Sequence, residues 1–384
     1  MKVYITTTGA FPNGGANSNR IICYAKGLKM NHIECEVLTT SHRDESVFDI
    51  GIKYLRFGLN KTSSNFFVRS LNYLKSTFQM KKYILQNAKK GDVVLLYHNE
   101  ISQDLILYPL KRKFKLVREL CEIPSFDKRL SSRIFRFLHY HCFFKIFSGF
   151  IAISTPLEEL AIKYKRDKAQ VLKVPILVDL QKYENTSYIQ SNMKIEHPLF
   201  IFHSGTMTEQ KDGFLGMLEI LSLVRQKGID LHLYSTGIMP KESSIEERIS
   251  NLQIEDYVHF LGFVKNEDLI AYQGHSLAFI VNKHDTLQNR YCFATKVGEY
   301  LASKRPVIMT NIGEATLYLK NEQSAFIYND GDVDAVVNIL ISIIKNPTAG
   351  ENVGKAGYQI AQNNFSYQEH GLRISNFFQT LKRL

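Results

Sequence analysis

Short and nearly continuous apolar runs alternate with stretches of helical periodicity along the whole chain. Apolar runs of this length are typical of strands in a parallel sheet that helices cover on both faces. In the first half of the chain the predicted strands are Val3 to Thr7, Glu34 to Leu38, Val93 to Tyr97, Leu116 to Leu120, Phe150 to Ser154 and Val171 to Val174. In the second half they are Leu199 to His203, Leu231 to Ser235, Val258 to Leu261, Leu277 to Val281, Val307 to Thr310 and Ala325 to Tyr328. The alternation predicts an α/β protein made of two successive doubly wound blocks.

A polar stretch without either period, Gln181 to Glu196, separates the two blocks and is typical of a linker. The 384 residues are also long for one hydrophobic core, so two domains are the default expectation. We place the boundary near Asn192, which gives a first domain at 1–190 and a second at 191–365. A C-terminal helix is predicted at 366–384, because its apolar residues have roughly helical spacing: Leu372, Ile374, Phe377, Phe378 and Leu381.

The composition argues against several classes of protein. The five cysteines are odd in number, scattered and without any CxxC pair, which argues against a disulfide framework and against a zinc site. The first apolar run is too short and too polar for a signal peptide, and no run approaches the roughly 18 apolar residues of a membrane-spanning helix. The expectation is a reduced, cytoplasmic protein.

The stretch from Asn289 to Ile308 carries the most specific chemistry in the chain. It begins with a short loop that ends at Thr295 and Lys296, continues as a helix that contains Glu299, and then enters a buried strand. The first turn of a helix leaves N–H groups unpaired and carries partial positive charge, so a hydroxyl and an ammonium placed there favour a phosphate. A carboxylate on the same helix is suited to ribose hydroxyls.

This stretch resembles the donor-binding signature of the family 4 glycosyltransferases, which belong to the group 1 enzymes of GT-B fold. The residues that agree are Phe293, Thr295, Lys296, Glu299, Tyr300, Leu301, Ala302, Pro306, Val307 and Ile308. Ala294 and Lys304 depart from the pattern, and Tyr291 stands where the first of two acidic residues is expected. The resemblance implies two Rossmann-like domains facing a cleft, with the C-terminal helix crossing back to the first domain. It also implies a nucleotide-sugar donor, retention of configuration, no metal and no further cofactor.

Two further loops match the family in part. The loop after the first strand contains Gly14 and Gly15, whose backbone could approach a phosphate, or which could form an ordinary strand-to-helix turn. The resemblance implies a donor contact for both glycines and for Arg20. A second loop carries Thr206, where the family has an arginine nearby, and Lys211, which matches a family lysine directed at the diphosphate.

Three other residues complete the expected donor site. Arg290, like Lys296, could supply the positive charge of the missing arginine. Phe263 and Val264 follow a strand in a segment that is similar to the part of the family that meets the nucleobase, although two apolar residues after a strand are also typical of core.

Polar residues at the ends of two strands in the first half are candidates for acceptor chemistry. Glu122 is the first choice and His98 the second, because a carboxylate or an imidazole there could orient or deprotonate an acceptor hydroxyl. Either group could equally belong to a structural hydrogen-bond network.

The net charge of +11 is concentrated in the first domain. Residues 1–190 carry 30 Lys and Arg against 16 Asp and Glu, whereas residues 191–384 carry 18 against 21. Lys61 to Lys90 contains seven basic residues, no acidic one, and many bulky apolar side chains, and Arg129 to Phe147 is similar in style. This combination favours a helix on an anionic membrane surface. Aromatic core residues beside solvated cations are the alternative, and no recognised nucleic-acid motif accompanies the charge.

The functional hypothesis is a retaining glycosyltransferase that moves a sugar from a nucleotide donor to a glycan or lipid-linked acceptor. The expected place is the cytoplasmic face of the cell membrane, and the expected process is cell-surface polysaccharide biosynthesis. Two alternatives remain open: a nucleotide-sugar epimerase of similar architecture, and a non-catalytic GT-B binding module, which Tyr291 and the absent arginine make plausible. A basic nucleic-acid binder is a more distant one.

Overall fold

The computed structural model describes residues 1–13, 15–41, 51–58, 65–97, 101–123, 130–184, 195–240 and 244–382. Two compact units are present. The first consists of Met1–Leu177 together with Tyr367–Leu384, and the second of Val178–Ser366. Gly14, His98 and the predicted boundary near Asn192 lie outside the described residues.

The first unit is built on a seven-stranded sheet in which all pairs are parallel. The strands are β1 (Lys2–Thr7), β2 (Glu34–Thr39), β3 (Lys53–Arg56), β4 (Val93–Leu96), β5 (Lys115–Leu120), β6 (Gly149–Ala152) and β7 (Gln170–Lys173). Their order in the sheet is β3-β2-β1-β4-β5-β6-β7. The central strands β1, β4 and β6 are buried almost throughout, as expected for a parallel sheet covered on both faces.

Helices connect these strands. They are α1 (Ala16–Met30), α2 (Phe66–Asn87), α3 (Ile101–Leu107), α4 (Leu130–His141) and α5 (Thr155–Tyr164), with short 3-10 turns at Tyr108–Arg112 and Phe143–Ile146. The side chain of Asn65 caps α2, because its Oδ1 accepts hydrogen bonds from the N–H groups of Phe67 and Val68.

The six strands predicted in the first half are confirmed, but β3 was missed. Its four residues are exposed or half-buried and it pairs only with β2, at the edge of the sheet. An edge strand needs no continuous apolar run, so its sequence gives little signal.

The C-terminal helix crosses back to the first unit, as predicted. This helix, α15 (Tyr367–Thr380), packs against α1 so closely that a Cβ on Gly27 would lie 2.9 Å from the Cα of Gly371. Ile374, Phe377 and Phe378 join the core under β1 and β4. Leu372 is 55% exposed, so it does not join this core although it lies in the same helix.

The second unit contains two three-stranded parallel sheets. The strands are β8 (Phe200–Ser204), β9 (His232–Thr236), β10 (Val258–Phe260), β11 (Phe279–Val281), β12 (Val307–Thr310) and β13 (Phe326–Tyr328). The orders are β10-β9-β8 and β11-β12-β13, and a single parallel bridge from Ile201 to Ala278 joins β8 to the segment before β11. All six correspond to predicted strands.

The helices of the second unit lie on both sides of these strands. They are α6 (Gln181–Glu184), α7 (Glu209–Asp212), α8 (Phe214–Gln226), α9 (Ile245–Leu252), α10 (Asn266–His275), α11 (Leu287–Tyr291), α12 (Lys296–Ala302), α13 (Val333–Lys345) and α14 (Pro347–Phe365), with 3-10 turns at Glu255–Tyr257 and Glu314–Leu317. A hydrophobic core cluster of this unit lies under α8 and α13 and includes Phe214, Leu218, Leu233 and Leu340.

The start of the predicted linker is structured and belongs to the second unit. Tyr183 donates a hydrogen bond to Gln273 Oε1 (3.0 Å), and Tyr358 donates one to Glu184 Oε1 (3.0 Å). The N–H of Val178 donates to the carbonyl of Phe365 (2.8 Å). Residues 178–184 therefore belong to the second unit, whereas the sequence-based division assigned them to the first domain.

Candidate functional site

Three neighbouring strands of the second unit are each followed by a glycine with a positive φ. Gly205 follows β8 (φ 135°), Gly237 follows β9 (φ 121°), and Gly262 comes shortly after β10 (φ 62°). The N–H of Gly205 donates to Thr236 O (2.9 Å), and that of Gly237 to Gly262 O (2.8 Å). A Cβ on Gly237 would lie 2.1 Å from the carbonyl oxygen of Gly205, so only glycine fits there. The carboxyl ends of the three strands are thus held together by closely packed backbone.

Strand order reverses between β8 and β11, and open α/β sheets bind ligands outside the carboxyl ends of their strands at such a point. Lys296, the first residue of α12, lies there. Its Nζ is 2.7 Å from Asp212 Oδ1 and 3.3 Å from His203 Nε2. A Cβ on Gly205 would lie 3.3 Å from the same Nζ, so the ammonium lies against the bend that follows β8.

The charges of this group are fixed by its surroundings. Burial and the neighbouring Lys296 together lower the pKa of His203 to about 4, although Asp212 acts in the opposite direction. Burial alone would raise the pKa of Asp212, but the contacts with His203 and Lys296 outweigh it and hold the pKa well below its usual range. Near neutral pH Asp212 is therefore a carboxylate and His203 a neutral imidazole, whose Nδ1 lies 3.0 Å from Ser235 Oγ.

Helix α12 carries the other residues of the predicted signature. Thr295 precedes it in the N-cap position and Glu299 lies in its first turn, both half-buried. Tyr300 is fully buried, stacks on Phe279 with ring centroids 4.0 Å apart, and accepts a hydrogen bond from the N–H of Ser204 (3.0 Å). This tyrosine anchors α12 to the carboxyl end of β8, so it fixes the position of Lys296 relative to that strand end.

A buried lysine that the sequence reasoning missed holds two of the loops together. Lys283, soon after β11, donates from Nζ to the carbonyl of Lys211 (3.1 Å) and to Asn289 Oδ1 (3.1 Å). The preceding Asn282 donates to the carbonyl of Gly213 (2.9 Å), where a Cβ would clash. A lysine after a strand has no distinctive sequence spacing, which explains why it was not a candidate.

The remaining predicted donor residues of this unit lie on the exposed part of the same loops. Thr206 and Lys211 are exposed on the segment after β8, and Val264 is half-buried. Phe263 is 82% exposed, which excludes the alternative that it is a core residue. Arg290 is exposed and paired with Asp285, with Nη2 to Oδ2 at 2.6 Å.

Arg20 has a different environment from the one the resemblance implied. It is 2% exposed inside the first unit, where Nε donates to Glu119 Oε1 (2.9 Å) and Nη2 to Tyr24 Oη (2.9 Å) and the carbonyl of Val174 (2.8 Å). Burial raises the pKa of Glu119, and the adjacent guanidinium opposes that rise. These contacts favour a structural role for Arg20 rather than the donor contact that the resemblance implies.

The candidate acceptor residues belong to the first unit. Glu122 is exposed just after β5. Gly15 precedes α1 with a φ of 68°, a conformation that glycine adopts without strain. Next to Glu122, Cys121 Sγ lies 3.7 Å from Tyr97 Oη and 3.6 Å from Glu119 Oε1, in the network that holds Arg20.

Comparison with known families identifies the class of protein. Residues 184–360 match the family model described as "Glycosyl transferases group 1". This segment covers the strand ends, Lys211, Lys296 and Glu299. The segment is a group 1 glycosyltransferase domain, and the chain is a glycosyltransferase of the GT-B type. The sequence-based recognition of the fold and of the enzyme class is confirmed.

Individual relatives agree with this class. The chain is 20% identical over 367 residues to the uncharacterized glycosyltransferase YqgM of Bacillus subtilis (strain 168), covering 91% of this chain and 97% of the relative. It is 26% identical over 170 residues to the capsular polysaccharide biosynthesis glycosyltransferase CapM of Staphylococcus aureus, covering 44% and 42%. The structure of Anabaena HepE in complex with UDP and glucose superposes with a TM-score of 0.75 at 16% identity, covering 99% of this chain and 100% of HepE. That likeness shows a shared fold.

No helix in the described part of the chain is both long enough and apolar enough to cross a membrane.

Proposed function

We propose that this glycosyltransferase is a retaining enzyme of family 4 that transfers a sugar from a nucleoside diphosphate donor to a glycan or lipid-linked acceptor. The observation that carries the proposal is the position of Lys296. It presents a half-buried, ion-paired ammonium against the glycine bend after β8, at the point where strand order reverses. A charge preorganised at such an edge stabilises an anion without reorganising when the anion forms.

In the proposed reaction, the bond from the anomeric carbon to the donor diphosphate breaks and both electrons stay on the phosphate oxygen. The acceptor hydroxyl oxygen forms the new bond to the same carbon and loses its proton. Lys296 and Lys211 offset the charge that grows on the leaving diphosphate. Glu299 binds the ribose hydroxyls, Thr206 and Thr295 contact phosphate oxygens, and Phe263 and Val264 line the nucleobase pocket.

The acceptor proton goes to a base in the first unit. We propose Glu122 for this role, with His98 as the second candidate, because Glu122 is an exposed carboxylate just after β5, and a carboxylate can deprotonate an acceptor hydroxyl. Gly14 and Gly15 are proposed to approach the donor through their backbone. The reaction needs no metal and no cofactor beyond the donor.

The donor and the process are proposed from the relatives. HepE was solved with UDP and glucose, which makes uridine diphosphate sugars the first donors to examine. CapM acts in capsular polysaccharide biosynthesis, which supports a polysaccharide or its lipid-linked precursor as the acceptor.

The donor site is tested by a thermal-shift titration with uridine, guanosine, adenosine and cytidine diphosphate sugars. A ligand that binds only the native state raises the melting temperature as its concentration exceeds its Kd. We expect one nucleotide class to stabilise the wild type, and Lys296→Ala and Glu299→Ala to weaken its binding about tenfold or more, since a charge-assisted contact contributes about 1.5–3 kcal/mol. The control is Lys345→Ala, an exposed lysine at the end of α13, which should bind as the wild type does. Equal affinity in wild type and Lys296→Ala would exclude the assigned site.

Product analysis separates the alternatives. A glycosyltransferase consumes donor only when acceptor is present, whereas an epimerase converts the sugar of the donor without acceptor. The family match gives the epimerase no support. Donor binding without turnover under every acceptor condition would favour the non-catalytic module, and Glu122→Gln distinguishes loss of chemistry from loss of binding.

We also propose that the first unit binds an anionic membrane surface from the cytoplasmic side. Helix α2 exposes Phe67, Leu71, Leu74 and Phe78, spaced so that they lie on one face, and Phe67 is 80% exposed. Exposed cations on the same helix include Lys75 and Lys82. Phe67 and Phe78 are therefore not core residues, whereas Ile84 of the same helix is buried. An apolar stripe beside cations is suited to a surface of acidic lipids.

Vesicle co-sedimentation tests this surface. Vesicles with phosphatidylglycerol should bind the protein, phosphatidylcholine vesicles should bind it weakly, and added salt should reduce binding. The double variant Phe67→Ser/Leu71→Ser should lose most of the binding, while Leu105→Ser, which alters an exposed leucine on α3, should keep it. Equal sedimentation of the double variant and the wild type would rule out α2 as the contact.

A further inference from the structure

Three histidines converge at the amino-terminal edge of the sheet that contains β8, β9 and β10. His232 is the first residue of β9, His259 lies in β10, and His197 belongs to the segment just before β8. Each offers one ring nitrogen, and the three nitrogens all lie within 4.8 Å of one another. Among the described residues this group meets the geometric requirement for holding a metal ion.

Strand register places two of the three side chains on one face of the sheet. His259 is paired with Tyr234, which lies two residues after His232, so His232 and His259 project from the same face. The opposite face carries Leu233 and Val258, which belong to the apolar core under α8. The imidazoles of His232 and His259 therefore lie on the face opposite that core, where they pack against the rings of Tyr234 and Tyr257.

The distance between the facing ring nitrogens of His232 and His259 is close to that between two ligands of one metal ion. His232 Nδ1 lies 3.0 Å from His259 Nε2. Two nitrogens that bind one tetrahedral Zn²⁺ at about 2.0–2.1 Å lie roughly 3.3 Å apart, so a small separation admits the ion. The His197 ring stacks on that of His232 with centroids 3.7 Å apart, and it must rotate to direct a nitrogen at the same point. His197 lies in the 195–199 segment, outside any helix or strand, so strand pairing does not constrain its backbone torsion angles.

A carboxylate lies near the other nitrogen of His232. Nε2 lies 3.6 Å from Asp230 Oδ1, slightly beyond hydrogen-bond distance, and Arg225 Nη1 lies 2.6 Å from the same carboxylate oxygen. A histidine that binds metal through one ring nitrogen commonly directs the other N–H at a carboxylate, which fixes its tautomer and orientation. Asp230 is close enough to His232 to take this role after a small shift.

We propose that His197, His232 and His259 form a binding site for a divalent transition metal ion, with Zn²⁺ as the best fit. Neutral imidazoles suit Zn²⁺, Ni²⁺ and Cu²⁺, whereas Mg²⁺ and Ca²⁺ prefer oxygen ligands. Three protein ligands leave a fourth position for water.

This site is separate from the sugar-transfer site. It lies at the amino ends of β8 to β10, whereas Gly205, Gly237 and Lys296 lie at the carboxyl ends. The bound ion links the segment before β8 to β9 and β10, so its effect is on the stability of the second unit.

Metal binding is tested on the untagged full-length chain after treatment with EDTA. Isothermal titration with ZnCl₂ should give one site in the wild type, and Zn²⁺ should raise the melting temperature. His259→Ala and His197→Ala should bind at least about tenfold more weakly and lose the thermal shift, because removing even an outer partner of a metal site costs about 10–100-fold. His275→Ala, which removes a histidine of the same unit outside the cluster, should match the wild type.

Folding and coordination are checked independently. His197 lies outside the strands, so His197→Ala should keep the wild-type circular dichroism spectrum without metal, even where His259→Ala is less stable. Co²⁺ in place of Zn²⁺ should give the visible absorption of a nitrogen-ligated tetrahedral ion in the wild type and not in His197→Ala. Equal Zn²⁺ affinity in wild type, His197→Ala and His259→Ala, or no binding to the wild type, would overturn the proposal. Neither readout depends on sugar transfer.

Discussion

The two α/β units each contain a buried or half-buried cation paired with a carboxylate, and they use the pair differently. In the first unit Arg20 is enclosed by Glu119, Tyr24 and backbone carbonyls, and it is 2% exposed. In the second unit Lys296 is paired with Asp212 at a strand end, and its side chain remains 15% exposed beside a glycine bend. A cation whose hydrogen bonds end inside the core fixes the fold. One that is held at the carboxyl edge of a sheet is available to a ligand.

The largest effect should come from breaking the enclosed pair. Arg20→Ala leaves Glu119 buried without its cation, and removing one partner of a buried ion pair costs about 3–5 kcal/mol. We expect a corresponding loss in the free energy of unfolding, measured by urea denaturation, and a smaller loss for Arg20→Lys, which keeps the charge. Wild-type stability combined with lost donor affinity in Arg20→Ala would contradict the structural role.

Acidification should weaken the second unit through His203. Its pKa is about 4 in the folded state against 6.5 for the free side chain, so the unfolded chain binds the proton first. The stability it contributes is complete above pH 6.5 and is lost as pH falls from 6.5 to 4, by about 3 kcal/mol at most.

In the first unit, burial raises the pKa of Asp104 to about 6, and Arg118 opposes that rise. Because the folded state then binds the proton first, protonation of Asp104 increases stability as the pH falls, whereas protonation of His203 decreases it. Unfolding curves at pH 7, 5.5 and 4.5 should therefore show a shallower acid loss for His203→Gln than for the wild type. An identical pH slope in the two proteins would show that His203 is not the responsible group.

The glycine bend is tested by two substitutions at positive φ. Gly237→Ala meets the carbonyl of Gly205 at 2.1 Å, whereas a Cβ on Gly228 (φ 80°) meets no described atom within 4 Å. Both variants carry left-handed backbone strain of about 1–2 kcal/mol. Gly237→Ala should lose a further ~1–3 kcal/mol from overpacking, together with donor affinity. Equal stabilities of the two variants would mean that the carboxyl ends of β8 and β9 move apart at little cost to make room for the added Cβ.

The smallest effect is expected at the exposed pair of Arg290 and Asp285. Such pairs are screened by solvent and contribute little, so Arg290→Ala should unfold at the same urea concentration as the wild type. Its donor affinity then reports whether Arg290 replaces the arginine that the family has after Gly205. An unchanged affinity would leave Lys296 and Lys211 as the cations of the site.

Much of the fold could be predicted from the sequence because parallel strands buried on both faces require continuous apolar runs. All twelve predicted strands are present, and the C-terminal helix joins the first unit. The edge strand β3 could not be predicted, since a strand with one partner and partial exposure needs no such run. The exposure of Leu372 was also missed, because helical spacing alone does not say which face is covered.

The candidate site was predictable only where its residues are contiguous. Lys296 and Glu299 lie in one stretch with recognisable order, so local pattern was enough to make them candidates. The contacts of His203, Asp212 and Lys283 could not be predicted in this way, because they depend on segments distant in sequence. The burial of Arg20 was missed for the same reason, because Glu119 and Val174, which surround it, are far along the chain.

The sequence by itself determined the α/β class, the strands and the loop that carries Lys296, because apolar periodicity and local spacing are properties of neighbouring residues. Only the tertiary structure decided that Arg20 is buried in the core while Lys296 stays partly exposed at a strand end. It also decided that His197, His232 and His259 lie next to one another. Burial, pairing and pKa depend on groups that parallel strand order brings together from distant parts of the chain.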